Sequence, residues 1–310
     1  MDAGEDRPAV DASFARSRLI AYARGVRRLL LVAFVALGCA GDPAPPSSSA
    51  PQLIAPDPEV VHLLGTGAMT PLSRQLVAAW PKAPGSLRFV VEPSVGSGGG
   101  ARAAAEGAVD LGMIARPLTP SENALGLLAI PVAIDAVVVA ANRDVPLDGL
   151  ERSKLVDLVA GRTAAFPDGS IATVLLRDRE ESANQTLEHE IPGLEAAREE
   201  AYRAHRLRVL YHDDAMGEAL AATPGSIGVF SLGAITIAEL PLKVLSIDTV
   251  RPSLTTITNG EWKAVRTLSF VVRKDRLDRV RAFLDFVASS AGQRLIKRSG
   301  YQPVAISVLP

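Results

Sequence analysis

"VVEPSVGSGGGARAAAEGAVDLGMIARPL" spans residues 90–118 and sets Gly96, Gly98, Gly99 and Gly100, with Ser94 and Ser97, between a β-branched run and an alanine-rich one. Glycine backbone carries no side chain to hold a ligand away, and the amides of a helix's first turn have no acceptor within the helix. A strand that ends near Pro93 and a helix that starts in the glycines therefore read as an anion cradle. Two other readings fit the same letters. A flexible Gly/Ser connector matches the composition, although connectors seldom join a strand directly to a helical pattern. The segment Gly96-Ser97-Gly98-Gly99-Gly100-Ala101 also matches the G-x-G-x-x-A dinucleotide fingerprint. That reading needs an acid about 20 residues on, at the end of the next strand, to hold a ribose. There "MIARPL" supplies Arg116 instead.

On either side of this stretch, apolar runs alternate with helical patterns. "VVHLL" (60–64) reads as a strand and "PLSRQLVAAW" (71–80) as a helix; "LRFVVEP", "ARAAAEGA" and "VDLGMIA" continue as strand, helix and strand. This β-α-β-α-β order predicts parallel strands joined by right-handed crossovers, with ligand-facing loops at the strands' C-terminal ends. The long apolar run "IPVAIDAVVVAANRD" (130–144) then crosses toward a second lobe. In "LERSKLVDLVAGRTAAFPDGS", Leu150, Leu155, Val156, Leu158 and Val159 give a helix its apolar side, and Gly161 stops it. "ATVLLRDREESANQTLEHEIPG" and "AMGEALAATPGSIGVFSLG" supply further strands and helices, and "TLSFVVRKD" with the amphipathic segment 278–301 returns to the first lobe.

The N-terminal region gives an address. Arg24, Arg27 and Arg28 precede "LLLVAFVALGCAGD" (29–42), an apolar run too short to cross a bilayer but ordered as a secretory signal: basic, apolar, small. "ALGC" resembles the lipobox of bacterial lipoproteins, which implies cleavage before Cys39 and lipidation of that residue. Cys39 is the chain's 1 cysteine, so there is no intramolecular disulfide and no cysteine nucleophile or metal cluster elsewhere. The run "AGDPAPPSSSAPQLIAPDP" after it cannot bury a core and reads as an extended tether. The expected organisation is a signal peptide over 1–38, a tether over 39–58, one lobe from 59–140 plus 247–310, and a second lobe over 141–246.

Charge and motifs narrow the function. The full chain carries 33 basic and 34 acidic side chains; residues 1–38 hold 6 and 4 of them, which leaves 27 and 30, a net −3, after cleavage. A nucleic-acid partner is not indicated, and any anion site must be local. Ser226 in "PGSIG" lacks the spacing of a hydrolase elbow, and His62, His189, His205 and His212 form no H-E-x-x-H pattern. With no P-loop signature either, neither an enzyme nor a bound cofactor is expected.

Three stretches together resemble the phosphate-binding proteins of ABC transporters: "LLGTGAMTPLSRQLVAAW", "VGSGGGARAAAEGAVDLGMIARPLTPSE" and "LERSKLVDLVAGRTAAFPDG". The resemblance covers nearly all of residues 59–310. It implies a periplasmic binding protein-like α/β fold of two lobes, each a mixed sheet with flanking helices, joined by a two-segment hinge. It implies ligand contacts from Ala68, Met69 and Thr70 at one helix start and from Ser97, Gly98 and Gly99 at another. A desolvated oxyanion needs such donors more than it needs net charge.

The third contact region departs from the family pattern, in which an arginine is followed four positions later by Ser-Gly-Thr. Here "LRDREESANQT" offers Arg177 or Arg179, with Ser182 five positions after Arg177 and Asn184 as a further donor. Arg177, at the strand's end, is the expected ligand arginine; Arg179 is expected to pair with Glu180 or Glu181, and a wholly solvated charged loop is the alternative. Phosphate binders of this family place a carboxylate after the corresponding strand to accept the ligand's proton, whereas this chain has Arg116, read either as a ligand contact or as a salt bridge between lobes. Asp110 reads as a turn or cap residue.

The implied function is a lipid-anchored, exported solute-binding protein of the bacterial membrane, on its periplasmic or cell-surface side. It is expected to act as a monomer that captures phosphate or a similar small oxyanion for an ABC permease. A sensing or scavenging lipoprotein of the same fold with another ligand is the alternative.

Overall fold

Val60, Val61 and Leu63 start the first sheet. The computed structural model describes residues 59–81 and 86–306; the expected signal peptide, Cys39 and the expected tether lie outside the described residues. Strand β1 (Val60–Gly65) pairs in parallel with β2 (Arg88–Val91) and β3 (Leu111–Ile114). The connecting helices are α1 (Thr70–Ala79), with a proline in its first turn where the missing N–H costs nothing, and α2 (Gly96–Glu106), closed by Gly107 at φ 71°. All four residues of β3 are buried, as expected of a parallel strand covered on both faces. Helix α2 lies against these strands because Gly100 lets it: a Cβ there would sit 2.7 Å from Gly65 Cα and 2.8 Å from the carbonyl oxygens of Leu64 and Met113.

After the short helix α3 (Pro120–Ala124), capped by Thr119, comes β4 (Leu127–Asn142), whose 16 residues serve both lobes. The second lobe contains α4 (Arg152–Ala160), β5 (Thr173–Arg177), α5 (Ser182–Glu190), α6 (Leu194–Ala204), β6 (Arg208–Leu210), α7 (Asp213–Ala222), β7 (Ser226–Ser231), α8 (Leu232–Ile237) and α9 (Leu254–Thr258). The chain returns through β8 (Val265–Arg273) to α10 (Leu277–Ala288) and α11 (Ser290–Arg298).

The order β2-β1-β3-β8-β4-β7-β5-β6 shows how one strand joins two sheets. Residues 127–136 of β4 pair antiparallel with β8, and residues 137–141 pair antiparallel with β7. Apolar packing changes at the same point. Val132 and Ala133 belong to a cluster with Leu63, Met113, Phe270 and Phe283, whereas Ala136 and Val137 belong to a cluster with Leu155, Leu175, Leu187 and Ile227. Trp80 meets Phe89, Phe283 and Phe286 edge-on at 5.6 to 5.7 Å, a geometry that aromatic quadrupoles favour, and this closes the outer end of the first core.

The return segment differs from the boundary expected at residue 247. Leu245, Ile247, Ile257, Trp262 and Ala264 pack in the second cluster, and the first is regained at Leu268. Trp262 accounts for much of this: its ring is buried there, and its Nε1–H donates to the carbonyl oxygens of Val137 (3.1 Å) and Ala264 (3.2 Å). Among the described residues, no helix is long and apolar enough to cross a membrane.

Candidate ligand-binding cleft

The C-terminal ends of β1 and β3 and the start of α2 form one wall of a cavity of about 710 Å³, and the ends of β5 and β6 form the other. Thr66, Ser94, Ser97, Gly98, Gly99 and Arg116 line the first wall; Asp178, Glu181, Ser182, Tyr211, His212 and Asp213 are among those lining the second. The lobes touch at the cavity's base. A Cβ on Gly67 would lie 2.0 Å from Asp213 Oδ2, so only glycine lets the opposite carboxylate come this close.

The glycine-rich start of α2 lines the cleft. Ser97 Oγ accepts the Ala115 N–H at 3.1 Å, which leaves its own proton free to donate. Ser94 Oγ donates to the Gly65 carbonyl at 3.0 Å and ties the loop to the end of β1.

The first loop corrects the expectation for Ala68, Met69 and Thr70. None of the three lines the cleft. The 3-10 turn Gly67–Met69 directs Ala68 and Met69 into the first core, at 1% and 0% exposure, and Thr70 Oγ1 bonds back to the Thr66 carbonyl at 3.4 Å. Thr66 is the residue of this loop that reaches the cavity.

Arg116 lines the cleft but is held within its own lobe. Its Nη1 and Nη2 each donate to Glu122 at 2.8 Å, a bidentate pair, and Glu122 also completes the capping box of α3. The hydrogen bond from Arg116 dominates in holding the Glu122 carboxyl at about 2, against the opposing effect of burial. Of the two readings, a ligand contact or a salt bridge between lobes, the structure removes the second. Asp110 accepts from Arg279 Nε at 2.8 Å and from the His62 N–H at 3.4 Å, so its role is within the first lobe.

The third region holds a buried ionic cluster. Arg177 is 2% exposed and stands behind the cavity wall; its Nη2 lies 3.2 Å from Glu181 Oε2 and 3.4 Å from Asp213 Oδ2. Its Nη1 is buried with no hydrogen-bond partner. Arg266 on β8 meets Asp135 on β4 directly across the ladder, with Nε and Nη2 each 3.1 Å from Oδ2. Arg266 Nη1 also donates to Glu181 Oε1 at 3.1 Å and to Ser182 Oγ at 2.9 Å.

Burial opposes ionisation of Glu181, but the charges of Arg266 and Arg177 outweigh it and hold this carboxyl below its ordinary range. For Asp213 and Asp135 burial wins over the neighbouring arginines, and both carboxyls are pushed up.

Two expectations for this loop are corrected. Asn184 is buried and its Nδ2 donates to the Asp178 carbonyl at 2.7 Å, so it fixes the loop and does not face the cavity. Arg179 pairs with Glu199, not with Glu180 or Glu181, and lies 4.7 Å over the Tyr202 ring. The sequence pattern offers Glu181 only as a partner for Arg179 and does not single out Asp213 or Arg266. Lone charged residues inside apolar strands, Asp135 in "IPVAIDAVVV" and Arg266 in "VRTLSFVV", were the available signal, because a charge at a strand's buried position needs a partner.

This fold and cleft define a protein built of two α/β lobes around one cleft, and its family follows from comparison. The family described as the PBP superfamily domain matches residues 50–291, and the chain belongs to it. Among curated relatives, the phosphate-binding protein PstS of Borreliella burgdorferi is 22% identical over 250 residues, 78% of this chain and 89% of that protein. Protein SphX of Synechococcus elongatus is 22% identical over 264 residues, covering 77% of this chain and 76% of its own. The same fold is found in a phosphate ABC transporter substrate-binding protein from Clostridium perfringens with bound phosphate. That structure has a TM-score of 0.69 at 17% identity, with 79% of this chain and 99% of that chain aligned. An ABC-type phosphate transport receptor from Vibrio cholerae aligns with a TM-score of 0.58, at 17% identity, over 78% of this chain and 99% of its own.

Proposed function

We propose that this chain is an extracytoplasmic solute-binding protein that captures phosphate or a similar small oxyanion between its two lobes and delivers it to an ABC-type transporter. The observation that carries the reading is the start of α2. Its glycine amides and the Ser97 hydroxyl line a cleft whose opposite wall is backed by two buried arginines. Such donors replace the water an oxyanion loses when a cleft closes. β4 and β8 are the two segments shared by the lobes, and a change in their twist would open and close the site without bond chemistry. The names of the curated relatives support phosphate as the first ligand to test.

Calorimetry on the full chain in detergent, titrated separately with phosphate, sulfate and molybdate, should show one-to-one binding of one of them. Ser97→Ala should weaken that binding by about 1 to 3 kcal/mol, the cost of a lost hydrogen bond to a desolvated charged group. Unchanged affinity in the variant would remove the α2 hydroxyl from the site.

The proposal includes action as a monomer and a lipid anchor at Cys39, the anchor supported by the basic, apolar and small order of residues 24–42. Cys39→Ala should leave the chain unprocessed and unlabelled by fatty acid in growing cells. Normal labelling of that variant would refute the anchor.

A further inference from the structure

We propose that Glu181 is a resident counter-anion. Its carboxylate holds the two arginines at which an incoming oxyanion would bind, so that ligand binding is an exchange in which Glu181 leaves them. The inference rests on the oxyanion reading of the cleft and specifies how that site is regulated.

The geometry carries it. Glu181 is the N-cap of α5. Here the side chain makes no capping bond. It turns inward, placing Oε2 3.2 Å from Arg177 Nη2 and Oε1 3.1 Å from Arg266 Nη1. Glu181 lines the cavity and neither arginine does, so its carboxylate stands between the cavity and both guanidiniums. Ser182, the adjacent hydroxyl, is drawn into the same arrangement by its 2.9 Å bond from Arg266.

Hydrogen-bond donors, not net charge, are what the exchange frees. Arg177 and Arg266 bring two positive charges; Asp135, Glu181 and Asp213, when ionised, bring three negative ones. Arg116 is already neutralised by Glu122. With Glu181 in place three carboxylates face the two arginines; without it Asp135 and Asp213 still balance them, so the exchange frees guanidinium N–H donors and not net positive charge. When Glu181 leaves, the Arg177 and Arg266 donors become available together. Arg177 Nη1, buried and without an acceptor, is one further donor on the same guanidinium. A carboxylate presents two acceptor oxygens, as does one edge of a tetrahedral oxyanion, so each can meet these donors in turn. The exchange lowers affinity, because the ligand's gain is offset by the loss of an ion pair already made.

The test compares wild type with Glu181→Gln, which keeps the shape and removes the charge, and with Glu181→Ser, which removes the carboxylate. Full chains in detergent are titrated with inorganic phosphate and, separately, sulfate by calorimetry, with thermal unfolding followed in parallel. Both variants should bind the preferred anion at least about tenfold more tightly than wild type, about 1.4 kcal/mol. Equal or weaker binding by folded variants overturns the exchange and leaves the oxyanion reading standing if wild type binds. Silence of wild type and both variants toward both anions overturns the two together, whereas silence of wild type alone supports both.

Should the variants fail to fold, a crystal structure of wild type with phosphate decides. Glu181 more than about 4 Å from Arg177 Nη2, beyond ion-pair range, supports the exchange. Glu181 in its present place beside bound phosphate overturns it.

Discussion

Arg266→Met should lower the unfolding free energy by about 3 to 5 kcal/mol, the usual cost of breaking a buried ion pair from one side. Arg266 and Asp135 are 5% and 0% exposed and lie opposite each other on β8 and β4, the two strands that both lobes share. Removing the guanidinium leaves Asp135 with the Ser231 hydroxyl at 2.8 Å and the Gly233 amide at 3.4 Å, two donors for a carboxylate buried among apolar strands. The double variant Asp135→Leu with Arg266→Met should regain part of the loss, because the buried Asp135 charge is gone while the Arg266 contact to Glu181 stays broken.

The pH dependence follows from the sign of the shift. Burial already pushes the folded-state pKa of Asp135 up, and loss of Arg266 pushes it further. For a raised carboxyl the penalty is complete above the folded pKa. It is relieved as pH falls from that value toward the unfolded value of about 3.9. The variant's deficit should therefore shrink in acid. Urea unfolding at several pH values measures it, and a deficit under about 1 kcal/mol at neutral pH would show that the pair does not hold the shared strands.

Arg177→Ala should weaken oxyanion binding about 100-fold or more, close to 3 kcal/mol, while Arg179→Ala should cost less than about 1 kcal/mol. The two arginines are separated by one residue, and burial distinguishes them. Arg177 is 2% exposed, points its guanidinium at Glu181 and Asp213, and retains an unpaired buried nitrogen. Arg179 pairs with Glu199 across an exposed surface, its side chain 50% exposed, where solvent screens the charge. Calorimetry of each variant, at a temperature where unfolding curves show both folded, gives the order of effects. The reverse order would transfer the ligand contact to Arg179 and remove the buried cluster from function.

Much of this was legible along the chain. The alternation of apolar runs with helical patterns specified parallel strands and crossover helices in the first lobe, and Gly96 to Gly100 marked a helix start where backbone must come close to something. The reason is local: periodicity, turn chemistry and glycine's lack of a side chain act over a few residues. The return to the first lobe was less legible, because the apolar residues from Leu245 to Ala264 fit either core, and only the docking of Trp262 against β4 assigns them.

The site divides in the same way. Ser97, Gly98, Gly99, Arg116 and Ser182 were named from sequence and line the cleft. Ala68, Met69, Thr70, Arg177 and Asn184 were named and do not line it: a 3-10 turn with its bond back to Thr66, a buried ion-pair cluster and a loop hydrogen bond set their directions. The sequence by itself determined an α/β chain with a glycine-rich helix start suited to an anion. Tertiary structure alone decided which charges meet. Arg177, Glu181, Asp213, Asp135 and Arg266 come from five places between residues 135 and 266, and the ionic state of each depends on neighbours that no local pattern specifies.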